Sequence, residues 1–194
     1  MIKGKNNYQT YNNITFKNET ELEFYKICEK AQLDKKIKSF EFETKYELQP
    51  EFLDWRDKKM ASITHIPDFQ ILLNDNSFII VDSKGADAFT HDEVAVIKRK
   101  MLMYQNQKFQ YYMISKTPKY LGNVWVETSK SYDFLGKLRT TYDKLFPNVN
   151  KRLKESPKFG VDKWSAFFEF HDIAGLFYVW DKTYTKKELE KMNK

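Results

Sequence analysis

The amino-acid sequence predicts a mixed α/β fold in which one helix is followed by three strands, a second helix and a fourth strand. Three observations carry that expectation: a capped amphipathic run at 19–33, strict alternation at 38–49, and two apolar runs joined by Asn74-Asp75-Asn76.

The first run reads as a helix because its apolar residues recur at helical spacing and Asn18 stands where an N-cap belongs. Glu21, three residues on, occupies the capping-box position. In the segment 38–49 the side chains Phe40, Phe42, Tyr46 and Leu48 face one way, and Glu41, Glu43, Lys45 and Glu47 face the other. The row of glutamates is read as a solvated outer face. Pro50 ends this strand, and 51–61 is a charged loop. Residues 63–73 form the next strand, and Ser77 to Lys84 return antiparallel to it, closed by Gly85. A helix over 91–106 and a strand over 109–115 complete the core.

Beyond Pro118 a strand is expected over Gly122 to Thr128. A helix follows over 131–146, with Phe134, Leu135, Leu138, Tyr142 and Leu145 on one face. Pro147 to Gly160 reads as a loop or broken helix, and the aromatic stretch 164–180 as a hairpin turning near Asp172–Gly175. Thr185 and Glu188 form a capping box for a short terminal helix. The organisation expected is a flexible lead at 1–13, a core at 14–115, and a C-terminal extension at 116–194 packed on the core.

Composition narrows the class. The chain has 194 residues, 41% of them hydrophobic, which is enough for one domain with a real core. No run of about 18 apolar residues occurs and the first residues carry no apolar leader, so a soluble, cytoplasmic protein is expected. The single cysteine, Cys28, permits no intrachain disulfide, and with three scattered histidines it argues against structural zinc. The net charge of +6 is unevenly spread: residues 1–115 hold 17 basic and 17 acidic side chains, and 116–194 hold 16 and 10. A basic segment beside a neutral one suits a polyanionic partner, although lysine-rich surfaces are also ordinary.

Chemistry concentrates in Ile66-Pro67-Asp68 and Asp82-Ser83-Lys84. A hairpin centred on Asp75 sets Asp68 opposite Asp82 and Ile66 opposite Lys84, and Asp82 and Lys84 share a face at i and i+2. Two carboxylates in one patch repel unless neutralised, and a hard cation such as Mg²⁺ resolves that conflict. A chance strand salt bridge is the plainer account of Asp-x-Lys. Glu21 lies inside the apolar stripe of Phe24, Ile27, Cys28 and Ala31, either as a third metal ligand or simply as the capping residue. Lys98 lies between Val94, Ala95, Met101 and Leu102. It either meets a phosphate or carboxylate or reaches out along its stem to water, while Arg99 and Lys100 face solvent more.

In this order of elements the chain resembles the PD-(D/E)XK nuclease superfamily: helix with Glu21, strand 38–49, strand with Pro67-Asp68, strand with Asp82-Ser83-Lys84, helix with Lys98, strand 109–115. The resemblance covers about residues 14–115. The stretch Phe16 to Tyr25, Tyr46-Glu47-Leu48-Gln49-Pro50 and Lys98-Arg99-Lys100 are similar to small phage proteins described as endonucleases or as resembling Holliday-junction resolvases. The resemblance implies a restriction-endonuclease-like αβββαβ core and a metal-dependent DNA endonuclease, selective for branched DNA or nonspecific. It implies Asp68 and Asp82 as ligands of Mg²⁺, with Mn²⁺ as substitute, Glu21 assisting, Lys84 catalytic, and Lys98 on phosphate. Lys100 is expected to join that contact. Junction resolution needs two coordinated cuts, so a homodimer is expected. The alternative is a catalytically silent DNA- or protein-binding module on the same fold. His65, three residues before Asp68, should point to the opposite face of a regular strand and is read as structural.

Residues 144–163 gather Lys144, Lys151, Arg152, Lys154, Lys158 and Lys163, followed by Trp164, Phe167, Phe168 and Phe170. Lys151, Arg152, Lys154 and Lys158 are the candidate DNA contacts here. The aromatics are read mainly as core, with base stacking as the alternative.

Overall fold

A computed structural model describes residues 8–84, 93–128 and 133–192. The chain divides into two compact units, Met1–Ser83 with Asp87–Tyr112, and Lys84–Ala86 with Met113–Lys194.

The first unit opens with a hairpin of β1 (Gln9–Tyr11) and β2 (Ile14–Phe16). Its two-residue turn uses Asn12 and Asn13 at φ 49° and 64°, left-handed values that asparagine tolerates and that primed hairpin turns require. Part of the segment expected as a flexible lead is therefore strand. Helix α1 (Glu19–Leu33) has the expected bounds, and Asn18 caps it by accepting from the Glu21 amide at 2.9 Å. Leu22, Phe24, Cys28 and Ala31 are buried along it.

The long strand expected at 38–49 is broken. β3 (Ile37–Phe42) and β4 (Tyr46–Gln49) are separated by Glu43 at φ 55°, and the two go to different sheets. Between β4 and the next long strand the charged loop folds into a small hairpin, β5 (Phe52–Leu53) and β6 (Lys59–Met60). Its turn is tied by the Asp54 carboxylate, which accepts from the Arg56 and Lys58 amides, and it leaves Trp55 exposed.

The expected strand 63–73 is also two: β7 (Ile63–His65), paired with β4, and β8 (Phe69–Leu73), paired with β3. Pro67 stands in the gap, where a missing N–H cannot serve a ladder. β8 turns through Asn74–Asn76 into β9 (Phe78–Ser83), with Asn76 at φ 69° and Asp75 accepting from the Ser77 amide and hydroxyl. The pairing Phe69↔Val81, Gln70↔Ile80, Ile71↔Ile79 and Leu72↔Phe78 is the register expected for a turn centred on residue 75. Sheet order in this unit is β3-β8-β9.

Helix α2 (Glu93–Gln105) lies against β4 and β7, and Gln105 Nε2 donates to the Leu48 carbonyl. It buries only Leu102 fully; Val94 and Ile97 are 59% and 56% exposed. The inward apolar stripe expected around Lys98 is therefore largely open. Lys98 borders a shallow groove with Ile63, Thr64, Val94, Ile97 and Met101, consistent with an aliphatic stem along apolar surface.

The unit boundary falls within β10 (Gln110–Lys116). In the second unit a 3₁₀ turn at Lys119–Leu121 leads to β11 (Trp125–Glu127), α3 (Phe134–Leu145), the short α4 (Val161–Trp164), β12 (Phe168–Ile173), β13 (Phe177–Thr183) and α5 (Lys186–Met192). The strands pair in the order β10-β11-β13-β12, antiparallel except for β11 with β13, so the sheet is mixed. The β12–β13 turn uses Ala174 and Gly175 at φ 53° and 73°, the place the sequence indicates. Leu121, Val126, Phe134, Leu135, Leu138, Tyr142, Phe159, Trp164 and Phe168 form one buried cluster, with Phe167 and Phe170 packed on it. The aromatics after residue 163 are core, as the first reading of them holds.

The architecture is thus a mixed α/β fold. Among the described residues no helix is long and apolar enough to cross a membrane.

Two outcomes follow from the packing. Phe69 is fully buried against Phe24 and Phe42, at 5.0 and 5.3 Å between ring centroids, so Phe69→Ala is expected to cost about 3–5 kcal/mol in urea unfolding. Glu188 is held down to about 2 by the hydrogen bond from Lys182, then by the Thr185 amide and hydroxyl. A folded-state value below the unfolded one of about 4.3 means that this cap is in place above about pH 4.3. It is lost as pH falls through about 2, and amide protection in Lys186–Met192 is expected to fall over that window.

Candidate metal centre

β8 and β9 are positioned by apolar side chains on both faces: Phe69, Ile71, Ile79, Ile80 and Val81 are fully buried. At their ends, where the ladder stops, the buried pattern gives way to half-buried Asp68 and Asp82. The β8–β9 register carries one step further through side chains. The Asp68 amide donates to Asp82 Oδ1 at 3.2 Å, and the Ser83 amide and hydroxyl donate to Asp68 Oδ2 at 2.7 and 2.8 Å. Asp82 Oδ2 accepts from the Tyr111 hydroxyl at 2.6 Å, and the Tyr111 oxygen lies 3.0 Å from His65 Nε2. The imidazole stacks on the phenol with an interplanar angle of 18°, and the Arg99 guanidinium is 5.8 Å from the phenol ring centroid.

Electrostatics explains why two acids tolerate one another here. N–H and O–H donors reach both carboxylates, and the Lys17 ammonium feels the Asp68 charge. The hydrogen bond to Glu43 raises the Lys17 ammonium above its ordinary pKa against the opposing effect of burial, and Glu43, Glu21 and Asp68 add attraction. Burial, and after it the charge of Asp82 and its hydrogen bond, pushes the Tyr111 hydroxyl well above its usual range. Tyr111 is therefore a neutral donor at any physiological pH, and its one proton goes to Asp82.

Glu21 is engaged at the start of α1. It is 6% exposed; its Oε2 accepts from the Lys17 amide at 2.9 Å and its Oε1 from the Asn18 side-chain amide at 2.8 Å. The capping account of Glu21 holds, with the Lys17 amide in place of the Asn18 amide. Among the described residues no three His, Cys, Asp or Glu side chains gather closely enough to hold an ion as a group. The two aspartates alone still suit a hard cation. They offer only oxygen, each carboxylate has about four lone-pair positions, and Mg²⁺ commonly takes one or two carboxylates and completes its shell with water.

Lys84 follows directly on β9. Its amide donates to the Ile114 carbonyl at 2.8 Å and its carbonyl accepts from Ser115 Oγ at 2.9 Å, so its backbone is fixed. On α2, Lys100 is exposed, and Arg99 places its guanidinium over the Tyr111 ring. In the second unit Lys151 is ion-paired with Asp143 and lies over the Tyr142 ring, so part of its charge is spent locally. Arg152, Lys154 and Lys158 are exposed.

Sequence reasoning missed Tyr111, and the face expected for His65 is not the one it takes, because it lies against Tyr111. The parity argument that turned His65 away assumes one continuous strand from 63 to 73. The break at Ile66–Asp68 cancels it. The signal for Tyr111 was its place in a strand of the core, which does not by itself mark a partner for Asp82.

A family model described as a protein of unknown function, DUF1064, matches residues 1–122. The chain belongs to the DUF1064 family. The DUF1064 match spans Asp68, Asp82, Lys84 and Tyr111 and stops before the basic segment at 144–163. No curated protein and no solved structure matches the chain.

Removing the Glu21 carboxylate separates its two readings. Glu21→Ala is expected to lower stability by about 1–2 kcal/mol in cation-free buffer, measured by urea unfolding, because two cap bonds are lost. A role confined to metal binding would leave cation-free stability unchanged or raised.

Proposed function

We propose that this DUF1064 protein is a metal-dependent endonuclease of the PD-(D/E)XK type that hydrolyses phosphodiester bonds in DNA. The observation that carries the reading is the hydrogen-bonded pairing of Asp68 with Asp82 at the open end of the β8–β9 hairpin, two residues before a lysine. The order of helix, strands, helix and strand supports the same superfamily.

Asp68 and Asp82 are the residues that would hold Mg²⁺ or Mn²⁺. When bound, the cation supplies Lewis acidity at a phosphate oxygen and acidifies water. Asp68, anchored by Ser83, and Asp82, anchored by Tyr111, present preset oxygens, so little ordering remains to be done on binding. Lys84 enters on its spacing from Asp82 and is assigned to orient the attacking water and balance charge on the phosphoryl oxygens. Lys98, Lys100, Arg152, Lys154 and Lys158 supply candidate phosphate contacts, with Lys151 weakened by its ion pair. No base-reading helix stands out in the sequence, which favours cutting by DNA shape, as at a branch, over cutting by sequence.

A second reading, a silent DNA-binding module, draws support from Glu21, whose carboxylate is used by the helix cap.

The two are separated by incubating the protein with a four-way junction, a flap, a plain duplex and single strands in Mg²⁺, Mn²⁺ or EDTA. Cleavage is expected with either cation and not in EDTA. Asp82→Asn and Lys84→Ala are each expected to lower the rate about 10²–10⁴-fold while DNA binding persists. Binding without cleavage under every cation overturns the enzymatic reading in favour of the silent module.

A further inference from the structure

The Asp82 carboxylate is restrained from one side by a chain that reaches back across two strands. Tyr111 Oη donates to Asp82 Oδ2 at 2.6 Å. A phenol has one proton, so with that proton on Asp82 its oxygen can only accept from a neighbour. The neighbour is His65 Nε2 at 3.0 Å, which must then carry hydrogen. Direction is therefore fixed along the chain: His65 Nε2–H to Tyr111 O–H to Asp82. Stacking of the imidazole on the phenol at 18° holds both rings in register, and β7, which carries His65, is tied to β4 through the pair Tyr46↔His65.

We propose that Tyr111 and His65 are positioning residues that lock Asp82 in the single rotamer in which its carboxylate faces the Asp68 side of the hairpin end. The inference rests on the reading of Asp82 as a cation ligand for its functional meaning, and on the hydrogen-bond geometry alone for its structural content. Partners that orient a ligand in this way commonly change metal affinity or activity by about 10–100-fold when removed.

The test uses the full chain as wild type, Tyr111→Phe, His65→Ala and His65→Gln. In cation-free protein, three-bond couplings of Asp82 report its χ1. One rotamer is expected in the wild type and averaging over at least two in Tyr111→Phe. Mn²⁺ binding followed by electron paramagnetic resonance is expected to weaken about 10–100-fold in Tyr111→Phe, with KM for DNA unchanged and kcat lowered. His65→Gln, which keeps an N–H donor, is expected to recover more of the wild-type Mn²⁺ affinity than His65→Ala. A merely structural role would lower the melting temperature of these variants and leave the Asp82 rotamer and Mn²⁺ affinity of the folded protein alone. A single Asp82 rotamer in Tyr111→Phe overturns the inference. Averaging in Tyr111→Phe beside a wild type that neither binds Mn²⁺ nor cuts DNA upholds the positioning and overturns the nuclease reading instead.

Discussion

The β8–β9 register is the constraint on which the rest of the first unit depends. Four backbone pairs fix it, and each pair sets which side chains lie buried and which end up at the rim. Because side chains alternate in a strand, a slip of one residue would turn Phe69 and Ile71 to the face opposite Ile79 and Val81, their present cross-strand partners. The same slip would part Asp68 from Asp82. Burial of those apolar residues is what holds the two acids together against their mutual repulsion, and Ser83, through its amide and hydroxyl, fastens the join.

Much of this was legible in the residues themselves. The helix at 19–33, its cap, the turn at 74–76 and the register across it follow from local rules: spacing, capping chemistry and the tolerance of asparagine for left-handed backbone. What could not be read is where a periodic run is interrupted. Segments 38–49 and 63–73 both look continuous, because Glu43 and Pro67 break the strands without disturbing the alternation around them. Those two interruptions create the separate β4–β7 ladder, and that ladder carries His65 to Tyr111. The site's outer partners are long-range, joining residues 46 apart in the chain, and no local pattern encodes such a distance.

Helix α2 shows the opposite error. Its sequence is apolar at helical spacing, yet Val94 and Ile97 face outward and Leu102 alone is deeply buried. Periodicity states that a face exists; it does not state that the fold covers it. In the second unit the aromatic run behaves more simply. Trp164 donates its indole N–H to the Phe159 carbonyl at 3.1 Å, and packs edge-on to Phe134, so this large ring is buried with its polar atom satisfied.

The distribution of tryptophan has an optical consequence. Trp55 projects into water from the small hairpin of the first unit, whereas Trp125, Trp164 and Trp180 all belong to the second unit, and the first two of these are almost wholly enclosed. Indole emission shifts to longer wavelength when the ring meets water, so the colour of the intrinsic fluorescence follows loosening of the second unit almost alone. The first unit can open with little spectral trace, because its sole indole is already wet.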